Sequence, residues 1–268
     1  MLENAIPNST VLIFGSLSTE LYLPGADIDL VLLHDTYSEK NLMNKAKNVF
    51  KRNSDIIKDI EVLQNAKVPI IKFIHKPSNI EFDITFNEQM GLDNIKEVKK
   101  AISIHPEIKY LTFVMKMFLR QRRLNVTFNG GIGSFLLFNM ILAFLRTFKK
   151  NIVSKTKDIH SLTEITLSEY LLKLLQFYAS FDVFRNEIHM SKGGRLEKKI
   201  SNNGEFCLYS PIEPSHNIGG KSFKIREIFN VFKNRLSHLT NTKFEGEGSI
   251  LMHLINPSGK NFETYLYD

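Results

Sequence analysis

Residues 11–33 read VLIFGSLSTELYLPGADIDLVLL, and the fold turns on how this stretch divides. VLIF (11–14) is a compact apolar run ended by Gly15-Ser16, the pattern of a strand that turns into a helix start. IDLVLL (28–33) is a second run of β-branched and aliphatic residues and reads as a second strand. Asp27 and Asp29 flank Ile28. Side chains alternate with period two along a strand, so both carboxylates project from one face while Ile28 and Leu30 point into the core. Two carboxylates side by side repel each other, and a divalent cation between them removes that cost. Mg²⁺ suits the arrangement, because it takes one or two carboxylates together with substrate phosphates. Upstream, Gly15 lets backbone approach a phosphate, and Ser16 adds a hydroxyl donor where a helix start offers free N–H groups.

Working outward, residues 39–52 are polar with apolar residues at helical spacing. KDIEVLQNA (58–66), PIIKFIHK (69–76) and NIEFDITFN (79–87) then read as three strands bounded by Pro, Asn, Ser and Lys. In the last of these, Phe82, Ile84 and Phe86 face the core, which leaves Asp83 with Glu81 and Thr85 on the other face. An acid there joins Asp27 and Asp29 to hold two metals, one activating an attacking hydroxyl and one stabilising a leaving pyrophosphate. A D-x-D alone is common and usually marks a strand end with two solvated acids. The ordered combination carries the argument: apolar strand, Gly-Ser, short helix, Leu-x-Leu-Pro, D-x-D, apolar run, then an acid on a later strand.

After about Gly91 the pattern becomes helical. Segments 91–103, 107–123, 132–150 and 167–180 carry apolar residues at i, i+3, i+4 spacing, and Pro106 sits where a helix can start. A Gly/Lys-rich patch over 191–205 reads as an exposed hairpin or loop, FCLYS (206–210) as a short strand, and Ser222 to Leu239 as a last helix. The expected organisation is a mixed α/β domain over 1–90 followed by a mostly helical domain over 91–268.

The chain has 268 residues, a net charge of +7 and a pI near 9.3. That sign favours a polyanionic partner such as nucleic acid, although an AT-rich coding bias accounts for the excess equally well. The single cysteine, Cys207, excludes an internal disulfide and any Cys-rich zinc module. The N-terminus lacks a basic-then-apolar signal pattern. The strongest apolar stretch, Ile132 to Phe148, is too short for a membrane span and is interrupted by Asn139 and Arg146. A soluble intracellular protein with no membrane partner is expected.

At these residues the chain resembles the DNA polymerase beta nucleotidyltransferase superfamily, and within it the RNA-tailing poly(A) and poly(U) polymerases. FGSLSTELYLPGADIDLVL is similar to the family pattern F-G-S-x-x-T-G-L-x-L-P-x-S-D-I-D, and IEFDITFN resembles the third-aspartate strand. FVMKMFLRQRRLN (113–125) and NGGIGSF (129–135) resemble the segment that builds the nucleotide pocket. IEPSHNIGGKSFKIREIF (212–229) resembles the nucleotide-recognition loop, near 211–222, and its following helix. The NGGIGSF and NIGGKSF forms lean toward the nuclear poly(A) polymerases of TRAMP-type exosome cofactors.

The resemblance implies a nucleotidyltransferase palm, a helical central domain and an active site in the cleft between them. It implies addition of AMP from ATP to RNA 3′ ends with Mg²⁺ or Mn²⁺. Asp27 and Asp29 would ligate both metals, and Asp83 would ligate the catalytic metal and accept the primer hydroxyl proton. Gly15 and Ser16 would cradle the triphosphate, Asn94 would reach the ribose, and Lys116 and Arg120 would reach the β- and γ-phosphates. Without the resemblance, that last pair reads as an exposed basic helix face. Gly131, Ser134 and Phe135 fall where relatives contact phosphate and stack on the base, while Phe135 also fits a core position. Glu213, His216 and Asn217 belong to the base-reading loop. His216 is the awkward residue, because relatives that add uridine often carry histidine there, so a terminal uridylyltransferase is the alternative. A scaffold homologue of low activity is the third reading, with the three intact acids against it.

Two departures from the family pattern are Glu20, where Gly is usual, and Ala26, where Ser is common. Only ten residues precede VLIF, whereas relatives carry helical sequence there that packs on the helical domain; apolar surface exposed on the second domain is the consequence expected. No appended RNA-binding module is expected from these residues. The resemblance therefore implies an RNA 3′ end as substrate and, in a TRAMP-like nuclear complex, a zinc-knuckle RNA-binding protein and a helicase as partners.

Overall fold

The structure is a computed structural model and describes residues 1–255, apart from 67, 159, 163–164, 202 and 242–249. It divides into two compact units, the first covering residues 1–99 and the second beginning at Lys100.

In the first unit a short helix α1 (Leu2–Ala5) precedes strand β1 (Thr10–Ile13), a single helical turn α2 (Gly15–Ser18) and strand β2 (Ile28–Leu33). Helix α3 (Glu39–Arg52) and strands β3 (Ile57–Leu63), β4 (Ile70–His75) and β5 (Ile80–Phe86) complete the sheet. Its strand order is β1-β2-β5-β4-β3. All neighbours are antiparallel except β2 and β5, which run parallel. A parallel pair needs a crossover, and here α3 with the β3–β4 hairpin supplies it.

Helix α3 starts at Ser38, whose hydroxyl accepts the Asn41 N–H, satisfying one of the free donors of the first turn. Leu42, Met43, Ala46, Val49 and Phe50 recur at helical spacing and are buried. They form one core with Leu32, Ile71, Phe73, Ile84 and Phe86 from the sheet, and Leu2 and Ile6 close it. The alternate residues of β2 and β5 therefore face away from this core. That parity sets which face carries the acids.

Helix α4 (Gln89–Ile104) starts two residues before the expected segment, and the division between units falls inside it, between Lys99 and Lys100. The second unit contains α5 (Glu107–Gln121), α6 (Ser134–Thr156), α7 (Leu167–Ala179) and α8 (Ile225–Asn241), with a short α9 (Ile250–Leu254). Ten consecutive residues of α6, Leu136 to Leu145, are buried, so this helix is apolar all round because neighbours surround it. Among the described residues no helix is long and apolar enough to cross a membrane.

The Gly/Lys-rich patch is a hairpin of β6 (Asn186–His189) and β7 (Arg195–Lys198), turning through Gly193 and Gly194 at positive φ. Strand β8 (Leu208–Tyr209) pairs with β6. It is shorter than FCLYS suggests, because the Asn217 amide takes up the Leu208 N–H and the Phe206 carbonyl. Tyr110, Phe128 and Phe223 of this unit are exposed.

Glu20 has φ +58°. An L-residue in this left-handed region carries a steric cost that glycine avoids, which accounts for the glycine usual at this place in relatives. Glu20→Gly should stabilise the protein by about 1 kcal/mol, seen as a raised thermal midpoint. An unchanged or lowered midpoint contradicts this reading.

Candidate active site

The parallel register puts Asp29 of β2 directly beside Asp83 of β5. Both lie on the sheet face opposite the α3 core, since Leu30, Leu32, Ile84 and Phe86 belong to or pack on that core. Asp27 precedes β2 by one residue and shares its parity with Asp29. Each of the three contributes a carboxylate oxygen lying within 4.8 Å of the others. Burial rises across the set: Asp27 is exposed, Asp29 half-buried and Asp83 buried.

The environment makes this arrangement costly. Burial, then the Asp27 and Asp83 charges, push the Asp29 carboxyl up to about 6, against the lowering effect of the Ser16 N–H donated to it and of Lys72. Burial likewise raises Asp83, opposed by Lys72. Burial alone would lower the Lys72 ammonium, but the hydrogen bond and charge of Asp83 outweigh it and raise it. Lys72 is the opposite neighbour of Asp83 on β4, and its Nζ lies 2.5 Å from Asp83 Oδ2. Reading the chain by its acids misses this lysine. The available signal was a lysine centred in the alternating strand IIKFIH, with the same parity as Asp83's face.

The Gly15 corner is shaped around the acids. Gly15 has φ +59°, and a Cβ there would lie 1.9 Å from Asp29 Oδ2. No other residue leaves Asp29 where it is. The corner is tied down by Phe14 N–H to the Asp29 carbonyl (2.9 Å), Leu21 N–H to the Ser16 carbonyl (2.9 Å) and Ser18 Oγ to the Gly15 carbonyl (2.8 Å). Gly91 of α4 receives the Phe14 ring, which a Cβ would meet at 2.1 Å. Asn94 is one turn further, on the same helix face, and its Oδ1 is buried without a hydrogen-bond partner among the described residues. The first unit thus brings Gly15, Ser16, Asp27, Asp29 and Asp83 together and carries Asn94 on the helix packed at that corner.

The remaining expected residues lie in the second unit. Lys116 and Arg120 are one turn apart on α5 and half-buried. Gly131 is buried, with its bare Cα against the Leu124 carbonyl, where a Cβ would come within 2.4 Å. Helix α6 starts at Ser134, two residues later than its pattern suggests: Gly133 is extended, and the Gly131 and Ile132 N–H groups donate to the Val126 and Leu124 carbonyls. The segment over 211–224 is joined to this turn: Ser222 Oγ donates to the Gly131 carbonyl (2.9 Å), Lys224 N–H to the Gly130 carbonyl (3.1 Å), and the Phe223 ring lies over Gly130. Those bonds also delay α8 from the expected Ser222 to Ile225. Gly131, Ser134 and Phe135 therefore lie on a turn bonded to the end of the loop that carries Glu213, His216 and Asn217.

Within the loop the three side chains differ. Asn217 Oδ1 accepts from Leu208 and Gly219 N–H, while Nδ2 donates to Glu205, Phe206 and Cys207. Its amide builds the loop. His216 Nδ1 lies 3.6 Å from Glu213 Oε2 at a half-exposed position. In a second acidic cluster, Glu187, His189 and Glu197, Lys192 bonds both Glu197 oxygens at 2.9 Å and His189 Nε2 lies 2.8 Å from Glu187 Oε1.

The three aspartates fit divalent ions on the chemistry of their donors: hard oxygens, net negative charge and a carboxyl destabilised by its neighbours. A mixed sheet with a glycine-serine corner set against such a triad defines a nucleotidyltransferase palm, and comparison agrees. Residues 1–99 match the family model described as "Poly(A) RNA polymerase, mitochondrial-like, central palm domain". The chain is 31% identical over 248 residues to Poly(A) RNA polymerase protein 2 of Saccharomyces cerevisiae, covering 89% of this chain and 42% of that protein. It is 30% identical over 238 residues to the "Inactive non-canonical poly(A) RNA polymerase protein Trf4-2" of Drosophila melanogaster, covering 84% of this chain and 57% of that protein. Among solved structures, the polymerase core of TRAMP, an RNA surveillance complex, matches with TM-score 0.78 and 27% identity over 95% of this chain and 84% of that one. Residues 1–99 are thus a palm domain of the poly(A) RNA polymerase type, and along most of its length the chain is similar to poly(A) RNA polymerases. It spans about two fifths of the yeast relative's length.

Gly15→Ala should displace the Asp29 carboxylate and lower nucleotidyl transfer on the order of 100-fold, the usual result of an ångström-scale misplacement. Initial rates with saturating nucleotide check it; wild-type rates would show that the Asp29 position is not critical. A raised Asp29 pKa means the folded state holds this proton more tightly than the unfolded state, so its contribution to stability falls as pH rises from near 4 through about 6. In EDTA, Asp29→Asn should therefore gain thermal stability relative to wild type across that window, and saturating Mn²⁺ should cancel the gain. A constant difference with pH in EDTA contradicts the assignment.

Proposed function

We propose that this protein is a template-independent RNA 3′-end adenylyltransferase of the nuclear RNA surveillance type. The single observation that carries the reading is the convergence of Asp27, Asp29 and Asp83 beside Gly15. Similarity to poly(A) RNA polymerases along most of the chain supports AMP as the unit added. The relative named inactive shows that homology alone does not secure catalysis. A non-catalytic scaffold has no physical need for three mutually repelling carboxylates, and that favours an enzyme here.

In the reaction the RNA 3′-oxygen bonds to the α-phosphorus of ATP, the bond to the β-phosphate bridge breaks, and pyrophosphate leaves. Asp27 and Asp29 would hold both divalent ions, with Asp83 as a further ligand to the one nearest the attacking oxygen. Bound Mg²⁺ or Mn²⁺ supplies Lewis-acid activation of the hydroxyl and neutralises charge on the leaving group. Asp83 takes the hydroxyl proton; its burial raises its basicity for that task. Gly15 and Ser16 give the triphosphate an approach uncrowded by side chains, Lys116 and Arg120 oppose its charge, and Asn94, whose buried Oδ1 has no partner among the described residues, binds the ribose hydroxyl. Phe135 stacks on the base, which is tolerant of base identity. Glu213 and His216 read the base edge, and Asn217 holds the loop that presents them. The partners we propose are a zinc-knuckle RNA-binding protein and a helicase in a TRAMP-like nuclear complex; the likeness to the polymerase core of TRAMP over 95% of this chain supports them.

His216 favours a second reading, uridylyl transfer. Incubation with a short labelled RNA, Mg²⁺ and each nucleoside triphosphate separately distinguishes the two. Extension with ATP at least about tenfold faster than with UTP is expected, since a hydrogen-bonding pocket discriminates by that much or more. Extension confined to UTP ends the adenylyl reading, and no extension with any nucleotide, in the presence of Mn²⁺ as well, ends the enzyme reading.

A further inference from the structure

Lys72 has no part in the chemistry described above, yet it makes the shortest ion pair in the site. It sits opposite Asp83 in the β4–β5 ladder, at the inner strand position next to the acid-bearing pair β2 and β5. Its Nζ is 2.5 Å from Asp83 Oδ2. Asp27 and Glu81 act on its charge, and its own charge acts on Asp29. A carboxylate oxygen of each of the three aspartates lies within 4.8 Å of the others. Three negative groups at that spacing repel one another strongly at a protein-like dielectric unless a cation intervenes. Lys72 is the ammonium that hydrogen-bonds into the set.

Its geometry is that of a removable cation. The Lys72 side chain is 41% exposed and the Asp83 side chain 11%. The ammonium therefore reaches in from the solvent side on a flexible stem, and it can withdraw without opening the sheet. Asp83 cannot follow it, because its strand is fixed between β2 and β4. A divalent ion and an ammonium that share one carboxylate repel each other, so the two compete.

We propose that Lys72 is a positioning residue that acts as a tethered stand-in for a divalent ion: it holds Asp83 beside Asp29 before metal binds and is displaced from Asp83 when metal arrives. Stability of the metal-free palm and affinity for metal are then opposed through one side chain. The inference rests on the reading of the three aspartates as a metal site, and the experiment below separates the failure of either.

Mn²⁺ binding to the full chain is measured by the electron paramagnetic resonance signal of free Mn²⁺, with thermal midpoints in EDTA and in saturating Mn²⁺, for wild type, Lys72→Met, Lys72→Arg and Asp29→Asn. Lys72→Met should bind Mn²⁺ at least about threefold tighter, since a competing charge is gone, while its midpoint in EDTA falls and its gain from Mn²⁺ exceeds that of wild type. Lys72→Arg, which keeps the charge, should remain within about twofold of wild type in affinity. A purely structural role for Lys72 lowers the midpoint without tightening metal binding; affinity unchanged or weaker in Lys72→Met overturns the proposal. Should Lys72→Met fold only with Mn²⁺ present, that dependence supports it; should it fold in neither condition, Lys72→Gln is measured against the same criteria. If wild type binds Mn²⁺ no better than Asp29→Asn, the metal-site reading itself fails, and the role of Lys72 falls with it.

Discussion

Mutual repulsion among carboxylates that the backbone does not allow to separate is the constraint on which this protein is organised. Asp29 and Asp83 are direct neighbours in a parallel ladder, so their spacing is set by strand pairing and not by side-chain choice. Asp27 follows from the same strand's parity. The sheet can hold them there because its other face is a dense core built on α3, whose burial outweighs the local electrostatic cost. Functional strain is stored on one face of the sheet and compensated on the other.

Two consequences run outward from that face. The residue beside Asp29 must lack a side chain, and Gly15 does, in a backbone region that also favours glycine. A cation must be present whether or not metal is bound, and Lys72 meets that need in the free protein. The second unit follows different rules: the loop over 211–222 and the turn at Gly130 and Gly131 are held by bonds from the Ser222 hydroxyl, the Lys224 N–H and the Asn217 amide, so the loop's shape depends in part on Asn217, a residue that the sequence places at the base.

Much of this was legible before any coordinates. The alternation in IDLVLL and IEFDITF gave the parity of all three aspartates, because a strand with one buried face has a rigid period of two. The glycine-serine corner and the helical segments were readable for the same kind of reason. What stayed hidden depended on register between strands or on tertiary hydrogen bonds. Lys72 matters only because β4 pairs with β5 so that it faces Asp83. The true starts of α6 and α8 depend on the Ser222 bond to Gly131, across 91 residues of chain. The bracing of the loop by the Asn217 amide is a tertiary feature of this kind. Glu20 was visible as a departure from the family pattern, but only its positive φ explains the preference it breaks.

The central claim is that three side chains from two neighbouring strands form one site for divalent ions. Anomalous X-ray diffraction from crystals grown with Mn²⁺ and a non-hydrolysable ATP analogue tests it most directly. The account predicts two Mn²⁺ peaks, both within about 2.0–2.3 Å of oxygens from Asp27 and Asp29, as expected for small hard divalent ions, and one of them also bonded to Asp83. Peaks elsewhere, or none at these carboxylates with nucleotide bound, would contradict it.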